Sequence, residues 1–238
     1  MVQNFPALFS TTRRAVAKQQ TRRRLIAAAK SLVADRGYDA ATLRDVAAMA
    51  DVSTGAVFAN FQDKADLFNE AIVDDLAELL SEMRRAALNA KTAREALLAM
   101  VGAGYDLHAE RLSLVQAQMA FSWSCGRPLQ QRRGGPVGRI REALAEVLRE
   151  GMASGELSSA MNVELIAEMI WDSYEAGYRH AIFEGWTPAA LTAYAEMRIN
   201  VLLDGYRLAP RPTASTPTGT RDPRAWSFPS ERPAALRG

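Results

Sequence analysis

Residues 42–61 read TLRDVAAMADVSTGAVFANF, and this stretch decides the fold. Thr42 with Asp45 three positions on is a capping-box variant, which opens a short helix carrying Leu43, Val46, Ala47 and Ala50. Met49-Ala50-Asp51-Val52 reads as a turn, and Ser53 caps a second short helix that runs to Phe61. Ala47, Ala50, Val52 and Val57 are small or apolar at the places where two short helices must cross closely. That is the requirement of a helix-turn-helix, whose second helix protrudes to enter the major groove. Thr42 and Ser53 put hydroxyls and free amides at helix N-termini, where phosphate oxygens bind. Thr54, Phe58 and Asn60 are then the candidates for base edges and thymine methyls. Arg44, on the first short helix, is a candidate phosphate contact.

Outward from this stretch almost everything reads as helix. Upstream, Leu25, Ala28, Leu32 and Val33 form one apolar stripe that Gly37 stops. Downstream, Asp63 with Asp66 opens a long helix striped by Leu67, Phe68, Ala71, Ile72, Leu76, Leu79 and Met83. Thr92 and Glu95 form a capping box before Leu97, Met100 and Val101. A helical segment near 110–123 follows, then a polar loop from Gln130 to Gly135. Pro136 sits at a first helical position ahead of Ile140, Leu144 and Val147. Asn162 opens a helix to about Glu184, and Thr187-Pro188 opens a last one that ends near Tyr206. Val, Ile and Thr never alternate as strands require. The expectation is an all-α chain of about nine helices. Its domains are a flexible basic arm (1–20), a three-helix DNA-binding domain (21–70), a ligand-binding and dimerisation domain (71–208) and a disordered tail (209–238). The tail holds six of the chain's ten prolines.

Charge points to the same partner. Net charge is only +2, but residues 1–24 carry Arg13, Arg14, Lys18, Arg22, Arg23 and Arg24 and no acid. Residues 71–208 carry 14 basic and 18 acidic side chains, so a basic N-terminal end precedes an acidic body. No apolar run spans a membrane, and the first apolar residues precede the basic ones, the reverse of a secretory signal. A cytoplasmic protein is expected. A single cysteine, Cys125, excludes an internal disulfide and any multi-cysteine metal site. His180 and Glu184, four apart on one helix, form a spacing that permits metal ligation, against which stands a total of two histidines. There is no Gly-rich phosphate loop, nucleophile elbow or metal motif, so neither an enzyme nor a cofactor is expected.

The stretch 21–72, TRRRLIAAAKSLVADRGYDAATLRDVAAMADVSTGAVFANFQDKADLFNEAI, resembles the DNA-binding domain of the TetR family. The resemblance is carried by Arg36-Gly37-Tyr38, Thr42, Asp45-Val46-Ala47, Val52-Ser53-x-Gly55, the aromatic Phe58, Phe61, and Asp63-Lys64-x-x-Leu67. It implies a homodimeric regulator, usually a repressor, that is released from an inverted-repeat operator by a small molecule. It also implies that Lys64 and the Ser53-Thr54-Gly55 start of the recognition helix lie at the DNA. One departure stands out. Where the family commonly has Thr-Leu-Tyr-x-Tyr/His-Phe, this chain has Ala56-Val57-Phe58-Ala59-Asn60-Phe61, so position 58 lacks the phenolic hydroxyl.

Beyond residue 71 aromatics and methionines recur at helical spacing. Met100, Tyr105, Met119, Phe121, Trp123, Trp171, Tyr174 and Tyr178 are either ordinary core or the lining of an apolar effector cavity. Such a lining suits a mostly apolar or aromatic molecule. A cavity favours a sensor, whereas a filled core favours a DNA-binding protein of the same fold with no effector. Ser173, Gly177 and Ala181, with Leu191, Tyr194, Ala195, Ile199 and Leu202, are expected to form the seam of a two-fold four-helix dimer bundle.

Overall fold

The computed structural model describes residues 7–124 and 135–206, with side-chain surroundings given for 14–120 and 135–206. The tail at 209–238, residues 1–6, Cys125, and the side chains of Phe121 and Trp123 therefore lie outside the described residues. Among the described residues there are nine helices: α1 Ala7–Ala40, α2 Leu43–Met49, α3 Thr54–Phe58, α4 Lys64–Ala87, α5 Ala93–His108, α6 Leu112–Ser124, α7 Pro136–Ala153, α8 Val163–Glu184 and α9 Pro188–Asp204. Their starts are the capped ones. The side chains of Thr42, Ser53, Asp63, Thr92, Asn162 and Thr187 each accept a backbone N–H three residues ahead, and Pro136 and Pro188 occupy first turns. Gly37, at φ 77°, breaks α1 near its end, in a region of backbone space that favours glycine.

Helix α1 starts earlier than expected. Residues 7–20 continue it upstream and so do not form a flexible arm. Once the buried turns around Leu25 and Ala29 nucleate the helix, Ala15, Ala17, Lys18, Gln19 and Gln20 propagate it at little cost.

Two hydrophobic cores meet inside α4. Leu67, Phe68 and Ala71 pack with Leu25, Ala29, Leu32, Val46, Ala47, Val57 and Phe61. From the very next residue, Ile72, Leu76, Leu79 and Met83 belong to the larger core of α5, α7, α8 and α9. Each large apolar side chain so buried contributes about 1.5–3 kcal/mol. Helix α4 is thus one rigid beam shared by the two cores.

Five of the eight residues expected in a dimer seam on α8 and α9 face inward, while Ser173, Tyr194 and Leu202 are half-buried. Gly177 and Ala181 are buried within the chain, and so are Leu191, Ala195 and Ile199. A Cβ at Gly177 would collide with the Tyr105 hydroxyl, so this glycine permits an internal approach of α5 to α8. The apolar side chains that α8 and α9 leave exposed are Leu165, Met169, Phe183, Met197 and Val201.

Candidate nucleic-acid interface and the polar chain behind it

Helices α2 and α3 cross through Val46, Ala47 and Val57, all buried. The turn between them is closed by Val52 N–H donating to Ala47 O at 3.0 Å, with Asp51 in the left-handed region at φ 51°. Arg24 of α1 donates to the carbonyls of Ala50 and Asp51 and so pins this turn from behind. Arg22 donates to Asn60 O at 2.8 Å, pairs with Glu70 at 3.1 Å and lies over the Phe61 ring, holding the far end of the recognition helix. Neither role was legible in the sequence, where both arginines read as part of the basic run.

The candidate contact residues divide into two groups. Ser53, Thr54, Gly55 and Phe58 are exposed on α3, Phe58 at 59 %. Ser53 Oγ accepts from Ala56 N–H, which leaves its own proton free to donate. Arg44 is exposed on α2. The second group is occupied inside the protein. Thr42 Oγ1 donates to Asp45 Oδ2 at 2.7 Å while accepting from Asp45 N–H. Its hydroxyl is spent on the cap, and the two Thr42 hydrogen bonds hold the Asp45 carboxyl below its ordinary range, as a fixed negative charge. The Asn60 amide turns back and donates to Ala56 O at 2.8 Å, with its Oδ1 buried, so it does not stand on the exposed face where a base contact was expected. Lys64 lies over the Tyr38 ring at 4.3 Å and donates to Asp39 O at 3.2 Å, an anchored cation at the start of α4.

Behind this unit a chain of polar groups runs from α1 into the second core. Asp75 of α4 is fully buried. Its carboxylate faces Lys30 Nζ of α1 at 3.4 Å, His108 Nε2 of α5 at 3.0 Å and Arg111 Nη1 at 3.5 Å. Burial pushes the Asp75 carboxyl up. The His108 hydrogen bond and the charges of His108 and Lys30 outweigh that and hold it below the usual carboxylate range. Lys30 also reaches Glu78 at 2.7 Å and Asp74 at 3.1 Å. On the far side of the imidazole, Nδ1 meets the Tyr178 hydroxyl at 2.7 Å, which in turn meets the Tyr174 hydroxyl. The Tyr105 hydroxyl donates to Tyr174 O at 3.0 Å. Burial raises the phenol pKa values of Tyr105, Tyr174 and Tyr178 well above their ordinary range, so all three stay neutral donors.

The aromatic residues expected to line a cavity are closely packed. Tyr105, Tyr174, Tyr178 and Trp171 pack edge-on or tilted against one another at centroid separations of 4.8–5.4 Å, and each is at most 2 % exposed. Met100 is buried beside them and Met119 is half-buried. Gly104 and Gly177 let the tyrosine rings close against neighbouring backbone; the Tyr174 and Tyr178 hydroxyls pair with each other, and that of Tyr105 is taken by the Tyr174 carbonyl. Two cavities lie elsewhere. One of about 410 Å³ lies between α4, α5 and α7, lined by Arg84, Thr92, Val147 and Glu150 among others. The other, of about 610 Å³, lies between Tyr38 and Ala65 on one side and Ser113, Gln116 and Ala117 of α6 on the other. Of the residues expected at the effector, the described ones, Met100, Tyr105, Met119, Trp171, Tyr174 and Tyr178, line neither. His180 pairs with Glu184 at 2.8 Å and stacks on Trp186; among the described residues no cluster of three metal-ligating side chains occurs. No helix among the described residues is long and apolar enough to cross a membrane.

A pinned turn, a protruding capped helix with an exposed polar start, and an all-helical body define a helix-turn-helix DNA-binding protein. Residues 25–71 match the family model of bacterial regulatory proteins of the TetR family. The fatty acid metabolism regulator protein of Bacillus subtilis is 22 % identical over 63 % of this chain and 78 % of its own length. The transcriptional repressor KstR2 of Rhodococcus jostii is 22 % identical over 79 % of this chain and 92 % of its own. The crystal structure of the regulator FadR from Bacillus subtilis in complex with stearoyl-CoA superposes with a TM-score of 0.65 at 21 % identity, covering 76 % of this chain and 97 % of that one. Residues 25–71 are thus similar to the DNA-binding domain of TetR-family regulators, and the helical body shares the fold of these solved regulators.

Proposed function

We propose that the protein is a dimeric repressor that binds an inverted-repeat operator and leaves it when a small apolar effector binds the helical body. The observation that carries this reading is the α3 surface. Ser53, Thr54, Gly55 and Phe58 are presented to solvent by a unit that Arg24 pins at the turn and Arg22 at the far end of α3. Ser53 and the α3 amides suit a phosphate, Thr54 a base edge, and Phe58 a thymine methyl. Arg44 and Lys64 flank them as cations. Thr42 and Asn60 act as supports, because the Thr42 hydroxyl is taken by Asp45 and the Asn60 amide nitrogen by the Ala56 carbonyl.

Dimerisation through α8 and α9 is favoured by the apolar side chains these helices leave exposed, Leu165, Met169, Phe183, Met197 and Val201. Two copies then place two recognition helices about 34–36 Å apart for successive major grooves.

For the effector, the likeness to proteins of fatty-acid and ketosteroid regulation favours an elongated apolar molecule with one polar end. Met100, Tyr105, Met119, Trp171, Tyr174 and Tyr178 are the surface it would part, and Phe121 and Trp123 follow Met119 in sequence. Their close packing favours a second reading, a DNA-binding protein of this fold with no effector. Stearoyl-CoA, a free fatty acid and a ketosteroid, each added to the protein on its operator, separate the two readings. At a hundredfold excess over Kd a bound effector raises stability by about 2.7 kcal/mol and lowers operator affinity reciprocally. An unchanged melting temperature and unchanged DNA binding across a broad apolar panel would favour the second reading.

A further inference from the structure

We propose that the upstream part of α1, residues 7–20, is a rigid basic rod that grips the DNA backbone beyond the helix-turn-helix and lengthens the operator; this rests on the DNA-binding reading above. Residues 14–20 are helical and every one is exposed, so this segment packs on no core among the described residues. A helix that buries no apolar face gains nothing from the core and is kept for what its surface meets. That surface is cationic. Arg14 and Lys18 stand four apart on one face, and no acid occurs before Asp35. Among the described residues neither Arg14 nor Lys18 has an ion pair. Arg22 and Arg24, by contrast, are engaged by Glu70 and Asp51.

The position follows from those same two arginines. Because Arg22 reaches Asn60 O and Arg24 reaches the Ala50-Asp51 turn, α1 at this level lies beside the DNA-reading unit, and the residues before it project past that unit. At 1.5 Å per residue, residues 7–20 extend about 20 Å, the length of about six base pairs at 3.4 Å each. An anionic membrane surface would need a broad apolar face along the helix, and only Leu8, Phe9 and Val16 are large and apolar among residues 7–20. The partner is therefore the phosphate backbone of DNA flanking the half-site.

The test uses full-length protein on a selected operator, with about six flanking base pairs or with none. Arg14→Ala/Lys18→Ala removes two cations per protomer, four per dimer. The slope of log affinity against log salt should fall by about 3.6, so that the affinity ratio between 50 and 200 mM salt shrinks about 150-fold. Ala17→Pro keeps every charge but breaks the rod, and should lose the same flank-dependent affinity. On DNA without flanks all three proteins should bind alike. Wild-type slopes in the double variant would overturn the proposal. So would a normal Ala17→Pro beside a weakened double variant, because a flexible arm gives that result. Anionic vesicles bound through Arg14 and Lys18 with DNA slopes unchanged would assign the rod to membranes and also overturn it. Failure of the intact protein to prefer any inverted repeat would remove the underlying DNA reading as well, and is distinguishable from all of these.

Discussion

Asp75→Asn isolates the polar chain that ties α1 to the body. The substitution keeps the shape and removes the charge of a carboxylate that is fully buried among Lys30, His108 and Arg111. Breaking a buried ion pair by removing one partner costs about 3–5 kcal/mol. Here Lys30 keeps Glu78 and Asp74, and Arg111 keeps Glu78, so neither cation is stranded. The asparagine oxygen can still accept from His108 Nε2, but its amide then faces Lys30 and Arg111, donor against donor. The cost therefore falls at the low end, about 3 kcal/mol. For a chain of this size that is a drop in Tm of about 6–12 °C, read by circular dichroism. The pH dependence has a definite sign. The Asp75 carboxyl is held below its ordinary value in the folded chain, so its contribution is present above the unfolded pKa of about 3.9 and is lost as pH falls through the folded value. The gap between wild type and variant should be steady from pH 8 to 5 and close below about pH 4. A gap under 1 °C at pH 7, or one that widens in acid, would refute this account.

Three further outcomes follow from the packing. Gly177→Ala should cost about 2 kcal/mol by forcing the Tyr105 hydroxyl aside, and Tyr105→Phe in the same chain should recover part of the lost Tm. Glu175, whose carboxyl burial and the Asp172 charge push up to about 7, is destabilising when ionised. Its folded pKa lies above its unfolded value, so Glu175→Gln should change little near pH 4 and stabilise by up to about 3 kcal/mol at pH 8; an equal effect at both would contradict the assignment. Val201→Glu should yield monomers by sedimentation at micromolar concentration with the helical signal intact, and a persisting dimer would exclude the α8–α9 face.

The elements fixed by short-range chemistry were readable before the structure. Thr42, Ser53, Asp63, Asn162 and Thr187 cap helices because a side chain reaches an amide three residues ahead, and such signals survive in any tertiary context. The facing of helices was not readable. Gly177 and Ala181 suit a dimer seam and an internal contact equally well on spacing, and only the position of Tyr105 on α5 decides between them. Nor was the polar chain readable. Asp75, His108 and Lys30 come from three helices, and a lone charge in sequence is most often a solvated one. Asn60 read as a base contact because its amide has the right chemistry, but the carbonyl of Ala56 lies nearer. Residues 7–20 read as an arm because they lack an apolar stripe, whereas helix propagation from the buried turns downstream requires none.

The central claim is that α3 reads DNA as one of a symmetric pair. Selection of binding sites from random duplexes by the full-length protein tests it most directly. The account predicts enrichment of an inverted repeat whose half-sites are centred one helical turn apart, with Thr54→Ala or Phe58→Ala relaxing preference by about 1–3 kcal/mol at one position per half-site. Recovery of no repeat, or of a preference that both substitutions leave unchanged, would contradict it.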